Sequence, residues 1–358
     1  MTATRTEPRH QPPWSDLDSL HEVTSKLLGY RGLIDPGVSA QLRRELAEVA
    51  RGKAFVIQAG DCAERFAETS RSHVFAKARM LDRIADAAEE ILAKPVIRIG
   101  RLGGQFAKPR SKATERLPDG SEALTYRGDA VNDTAPTVLA RVADPRRIAL
   151  AYEHSASVVN TLGLSPSRHT AAARTGAFSL TYSAHEALLL DYERALVRTD
   201  PISRRRYATS AHFLWVGERT RRINDAHVEF VAGVANPIGV KIGPSASPTE
   251  VRALVNRLGP DRLPGRLTLI VRMGRERVGE ALPRVLSHYG LHPGGLHLES
   301  TPVNVTECVD STAELDRDLS ENYATGCDSR LNPRQADYVV QRAAHLFFRP
   351  SGHEVVTS

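Results

Sequence analysis

The sequence predicts a TIM-type (β/α) barrel of the α/β class, with seven strands where eight close such a barrel, and a helical extension ahead of it. Three observations carry this expectation. From Ala54 onward, short apolar runs alternate with amphipathic helical patterns, the mark of a parallel sheet covered by helices. The runs at 55–62, 96–101 and 295–299 each end in a residue suited to a metal or an acidic phosphate. Finally, Lys and Arg recur at the carboxyl ends of further runs, where such a barrel builds its active site.

Taken in order, the first dozen residues hold Pro8, Pro12 and Pro13 and read as a mobile leader. Leu17, Leu20, Val23 and Leu27 then share one helical face, with Ser15 as N-cap. Val38, Leu42, Leu46 and Val49 repeat the pattern after Asp35-Pro36-Gly37. This helical pair is expected on the outside of the main body or against a second subunit. Strands are expected at 54–58, 95–100, 177–182, 211–216, 238–242, 267–272 and 295–299. Helices are expected near 71–93, 144–162, 185–198, 221–233, 248–258, 275–287 and 331–347. The polar, Pro/Gly-punctuated stretch 111–144 reads as a long active-site loop or an insertion. The division that follows is 1–52 for leader and N-terminal helices, 53–347 for the catalytic barrel and 348–358 for a tail.

Composition narrows the function. A chain of 358 residues with 41% hydrophobic and 25% charged residues is an ordinary globular protein. Its formal charge of +6 is spread over strand ends and helices, and only Arg204-Arg205-Arg206 forms a tight basic run. With 6% aromatic residues there is little to stack on bases, so small phosphates are the expected partners and nucleic acid is not. No apolar stretch is long enough to span a membrane, and no charged leader precedes an apolar core, so a cytoplasmic protein is expected. Three cysteines, an odd number, argue against a secreted disulfide scaffold.

Anion-binding candidates come first among the chemical groups. Arg101 ends a strand and opens into Leu-Gly-Gly-Gln-Phe-Ala before Lys108 and Arg110. Trp215-Val-Gly leads into Glu218 and Arg219, Lys241 interrupts an apolar strand, and Arg272 ends another. A single cation at such a place is usually an ion-pair residue, since charges seldom stay buried without partners. Four at equivalent positions on four strands point to a polyanion site, Arg offering a bidentate fork and Lys a point charge. Metal candidates are Cys62, Glu299 and Asp328, one thiolate and two carboxylates, a set suited to Mn²⁺, Co²⁺ or Zn²⁺. From the residues alone, Cys62 serves equally as a small buried hydrophobe and Asp328 as a turn cap.

Taken together, the stretches QAGDCAERF, RIGRLGGQFAKPRS, YRGDAVND, SAHEALLLDYERAL, SAHFLWVGERTRRINDAHVEF, VKIGPSASP, VRMG, HPGGLHLE and CDSRLN resemble one family. It is the class II (plant-type) 3-deoxy-D-arabino-heptulosonate 7-phosphate (DAHP) synthases, and the short N-terminal region is most similar to the compact bacterial branch that includes phenazine-cluster enzymes. The resemblance implies condensation of phosphoenolpyruvate with erythrose 4-phosphate and release of phosphate, at the entry to the shikimate pathway of aromatic amino acid biosynthesis or in a secondary-metabolite branch. It implies that Arg101, the Glu218–Arg219 pair, Lys241 and Arg272 contact phosphoenolpyruvate, that Lys108 lies between the two substrates, and that Cys62, Glu299 and Asp328 are three of four metal ligands. Glu186 matches a supporting acid, although the residues alone also allow it to be a helix-start residue. A homo-oligomer, dimer or higher, is implied as well.

One departure from the family pattern is large. The Asp-Pro-Met-His-Gly-Asn segment, whose histidine supplies the fourth ligand, is absent, and Arg272-Met-Gly leads through one helix to residue 289. One β/α unit is therefore expected to be missing. His297 is the candidate stand-in, two residues before Glu299 and so on its face of the strand, with His288 and His292 behind it. Cys327 adjoins Asp328, so a reversible disulfide with Cys62 that blocks metal binding is expected, and Cys308 is expected in the core. The reading from a different class is a catalytically inactive, phosphoenolpyruvate-binding regulatory paralogue. Retention of the strand-end cations favours the enzyme.

Overall fold

The computed structural model describes residues 8–110, 112–163, 180–273, 275–286, 295–299 and 333–347. Its centre is a parallel sheet of seven strands: β1 (Phe55–Gly60), β2 (Val96–Arg101), β3 (Thr181–Glu186), β4 (Phe213–Val216), β5 (Ile238–Ile242), β6 (Leu267–Val271) and β7 (Gly295–Glu299). From β1 to β6 each strand pairs with the next in the chain, and β7 returns to lie beside β1, with Gln58 opposite His297 and Gly60 opposite Glu299. Among the described residues no ladder joins β6 to β7.

Alternation along the strands sorts their side chains onto two faces. Phe55, Ile57, Ala59 and Val96 pack outward against α3 (Arg71–Leu92) and a C-terminal helix, Pro333–Phe347. Leu214, Val216, Ile238, Val240 and Ile242 do the same under the helices Ala226–Ala232 and Pro248–Leu258. The other face carries Ile97, Ile99, Tyr182, Ala184, Phe213, Trp215 and Ile270 in a single buried cluster. Arg98 and Arg101, three apart, consequently part company. Arg98 points outward to Asp82, Asp86 and Glu89 of α3 at 3.4, 2.5 and 3.3 Å, whereas Arg101 belongs to the inner face.

The two N-terminal helices, α1 (Leu17–Gly29) and α2 (Pro36–Ala50), have different places. Leu42, Leu46 and Val49 of α2 join the inner-face cluster, so α2 plugs the hollow of the sheet and does not sit outside it. Its sequence pattern announces an apolar stripe without naming the surface that covers it. Helix α1 lies on the periphery, Val23 and Leu27 packing with Leu188, Leu189 and Tyr192. Asp16, and not Ser15, caps it, accepting from the Ser19 N–H at 2.9 Å.

The third strand is the main displacement from expectation. Among the described residues it runs over 181–186, beyond the expected end at 182, with 177–179 lying outside them, and the helix expected from 185 shrinks to Leu190–Ala195. His185 and Glu186 therefore end a strand. Tyr182 and Ala184 alternate with polar Thr181, Ser183 and His185, but that pattern is only five residues long and runs into apolar Ala187–Leu190, so periodicity alone does not set where strand gives way to helix there. Within 111–144 the chain forms a small hairpin, Thr114–Arg116 against Glu122–Leu124.

Candidate active site

The carboxyl ends of β1 through β6 surround a cavity of about 330 Å³, large enough for a small metabolite. Cys62, Arg101, Lys108, Glu186, Glu218, Arg219, Lys241 and Arg272 all line it, together with Gln105 and the glycines Gly217 and Gly243. Six of the sequence candidates for anion binding thus meet in one place. Cys62, the metal candidate on β1, forms part of the same wall and is buried.

Trp215 forms the floor beneath two of the cations. Its ring is fully buried, with the Arg101 guanidinium 5.1 Å and the Lys241 ammonium 5.7 Å from the ring centroid. Both are within cation–π range, so the ring's negative face stabilises each of the two charges. The Trp215 position follows from strand parity, since it shares the inward face with Phe213. Sequence reading missed it because a tryptophan in an apolar run looks like ordinary core.

Glu218 has a different role from its neighbours. Its carboxylate accepts from the Gly243 N–H at 2.7 Å and from Arg221 at 2.9 Å, tying the loop after β4 to the end of β5. A second tie lies deeper. The fully buried Glu64 carboxylate accepts from the backbone N–H groups of Gly103, Gly104 and Gln105 at 3.0, 2.9 and 2.8 Å. This clamps the Gly-Gly turn that follows Arg101. Gln105 carries the connection onward: its side-chain oxygen accepts from the Glu186 N–H at 2.9 Å. Burial raises the Glu64 carboxyl above its ordinary range, an effect opposed by the charge of nearby Lys77 and the N–H groups of Gly103 and Gly104. Lys77 is itself buried, paired with Asp61 and 3.4 Å from Glu68. Glu64 and Asp61 both stand in the GDCAE stretch, and their signal in sequence was only their nearness to Cys62.

Two glycines are required by close approach. A Cβ on Gly217 would lie 2.2 Å from the Glu186 carboxylate, and one on Gly104, at φ +153°, would lie 2.1 Å from the His185 ring. Gly217→Ala is expected to push the Glu186 carboxylate from its place, costing about 1–3 kcal/mol of stability. Its larger effect is on turnover, a fall in kcat/KM of about tenfold or more. Denaturant titration alongside steady-state kinetics checks both halves.

Among the described residues no three His, Cys, Asp or Glu side chains converge as a metal site. Glu299 ends β7 one strand away from β1, in register with Gly60, and so reaches the same edge of the sheet as Cys62. Asp328, Cys308, Cys327, His288 and His292 lie outside the described residues, and the side chains of His297 and Glu299 do too. The expected pairing of Cys62 with Cys327 therefore lies outside them as well.

A parallel α/β sheet whose strand-end cations meet in one small pocket defines an α/β protein with a site whose charge suits a small polyanion. The chain belongs to the Class-II DAHP synthetase family, whose model matches residues 2–177, 168–290 and 284–343. It is 35% identical over 415 aligned positions to a phospho-2-dehydro-3-deoxyheptonate aldolase of Streptomyces coelicolor, covering 91% of this chain and 92% of the relative. A relative of the same name from Neurospora crassa is 33% identical over 439 positions, covering 93% and 91%. A solved structure entitled as the phospho-2-dehydro-3-deoxyheptonate aldolase of Francisella tularensis matches with a TM-score of 0.50 and 12% identity, over 96% of this chain and 99% of that one. That likeness concerns the fold alone.

Proposed function

We propose that this protein is a 3-deoxy-7-phosphoheptulonate synthase-type transferase, condensing phosphoenolpyruvate with erythrose 4-phosphate or a related aldose phosphate. The observation that carries the reading is the meeting of Arg101, Lys108, Arg219, Lys241 and Arg272 in one pocket beside Cys62. Phosphoenolpyruvate carries a carboxylate and a phosphate a few ångströms apart, and cations from four strand ends match that distribution. In this reading Arg101 and Lys241 hold the anion over Trp215, Arg219 and Arg272 close on it from the rim, and Lys108 faces the incoming aldehyde. The Glu218 carboxylate, engaged with Gly243 and Arg221, positions the β4 loop and leaves the anion to Arg219. Carbon 3 of phosphoenolpyruvate forms a bond to the aldehyde carbon, water adds at carbon 2, and inorganic phosphate departs.

The family is metal-dependent, and the donors here suit a divalent cation such as Mn²⁺, Co²⁺ or Zn²⁺. Cys62 is in the pocket wall, the end of β7 bearing Glu299 adjoins its strand, and Asp328 completes the set, with His297 in reserve. Such an ion, when bound, supplies Lewis-acid polarisation of an aldehyde oxygen.

The architecture we propose is a (β/α) barrel short of one unit between β6 and β7. Three facts support it. The alignments to relatives run longer than this chain, the family match breaks and restarts at 284–290, and no ladder among the described residues spans β6 to β7. Exposed Leu17 and Leu28 on α1 offer an apolar face for a homo-oligomer. No helix among the described residues is long and apolar enough to cross a membrane, in keeping with a cytoplasmic place.

The test is direct. Metal-loaded protein is mixed with phosphoenolpyruvate and erythrose 4-phosphate while the enolpyruvate absorbance is followed. Loss of absorbance matched by phosphate release is expected. Intact phosphoenolpyruvate binding without turnover on any of several aldose phosphates would instead establish the regulatory paralogue.

A further inference from the structure

Residues 8–12, the described part of the leader expected to be mobile, are tied down, and Trp14 just beyond them is too. Gln11 spans the loop after β3 as a second strand would: its amide oxygen accepts from the Leu190 N–H at 3.0 Å, and its amide nitrogen donates to the Leu188 carbonyl at 2.8 Å. The same nitrogen lies 3.2 Å from Nε2 of the buried His227, which is itself 3.1 Å from the Leu188 carbonyl. Trp14 adds a second anchor, its ring N–H donating to Asp191 at 3.2 Å. The loop held in this way starts at Glu186, a wall of the pocket. One residue before the anchor, half-buried His10 adopts φ +57°, a conformation uncommon for a residue with a side chain. It stands within electrostatic reach of Arg219, Arg9, Arg127 and Asp225, and burial together with these guanidiniums holds its imidazole below the ordinary range. Arg219 lines the pocket, and Arg127 lies within similar reach of Arg110.

We propose that residues 8–14 form a strap across the rim of the pocket, and that Gln11 fixes this strap so that Arg9 and His10 face the phosphate of the second, aldehyde-bearing substrate. The inference rests on the reading of the pocket as a phosphoenolpyruvate site, and extends it to a specificity element outside the barrel. Fixing the strap matters because an unanchored N-terminal segment pays its ordering entropy each time a ligand binds. The strap is a positioning element for substrate, and holding phosphoenolpyruvate does not require it.

Hydrogen–deuterium exchange on the full chain separates the two ideas. Phosphoenolpyruvate is expected to protect residues 101–108, which tests the pocket; erythrose 4-phosphate is expected to protect residues 9–14 and the Leu190 amide, which tests the strap. Gln11→Ala is expected to abolish the second protection and leave the first. In kinetics it is expected to raise the KM for the aldose phosphate about tenfold, the effect of losing a pair of hydrogen bonds, with the KM for phosphoenolpyruvate within about twofold of wild type. Protection by phosphoenolpyruvate without any effect of erythrose 4-phosphate on the strap overturns this inference and leaves the pocket reading intact. An equal rise in both KM values overturns it too, since a general loss of structure would do the same. If neither ligand protects its region, the pocket reading falls and the strap with it.

Discussion

Arg101→Ala is expected to lower kcat/KM by about a thousandfold or more, the largest effect of any single side-chain truncation in the pocket. Arg101 is 1% exposed, the most completely buried of the pocket cations. An anion that pairs with it is held in a water-excluded place, where removing one partner of a charge pair costs about 2–5 kcal/mol. About 4 kcal/mol corresponds to that thousandfold change. Arg101→Lys should recover only part of the loss, because an ammonium neither matches a carboxylate in two places nor reaches over Trp215 in the same way. Rim-exposed Arg219 and Arg272 should matter less, since water screens them. Calorimetric titration of phosphoenolpyruvate into the alanine variants of these three arginines gives the order directly; equal losses for all of them would contradict the burial argument.

Lys77→Met is expected to have the largest effect on stability. Its ammonium is 2% exposed and pairs with fully buried Asp61, with Glu68 and Glu64 nearby. Burial works against its charge, yet these carboxylates outweigh burial and hold the ammonium above its ordinary range. Removing it takes the Lys77 charge away from these buried carboxylates, a change that costs about 3–5 kcal/mol. At about 2–4 °C per kcal/mol, melting should fall by roughly 10 °C. The double variant Lys77→Met/Asp61→Asn should be less destabilised than the sum of the two singles, because each removes what makes the other costly. Additive losses would show that the two side chains do not act as a pair. Because Glu64 also clamps the Gly103–Gln105 turn, the Lys77 variant should lose phosphoenolpyruvate affinity as well.

Much of the pocket is legible in the residues alone. Arg101, Lys241 and Arg272 announce themselves as cations at the ends of apolar runs, a local pattern that simple ion pairing seldom repeats on several strands. The parallel order of the strands is equally local in origin, since alternating strands and helices leave few other arrangements. Less legible is anything that depends on which surface meets which. The apolar stripe of α2 is plain, but its burial inside the hollow of the sheet depends on the curl of seven strands. Similarly, the polar–apolar alternation of 181–185 is short and runs straight into Ala187–Leu190, so it does not fix where strand gives way to helix. Glu186 takes its place only through the ladders that pair Ser183 with Gly100 and Glu186 itself with Trp215.

Chain order and residue type are thus enough for the class of fold, the family and the cations that line the pocket, because each of these is written in short stretches read one at a time. The Trp215 floor, the Glu64 clamp and the Gln11 anchor join residues up to 179 positions apart. Contacts of that range exist only once the strands are in register and their loops share one rim, and hydrogen-bond geometry, unlike polarity, leaves no periodic trace in a sequence.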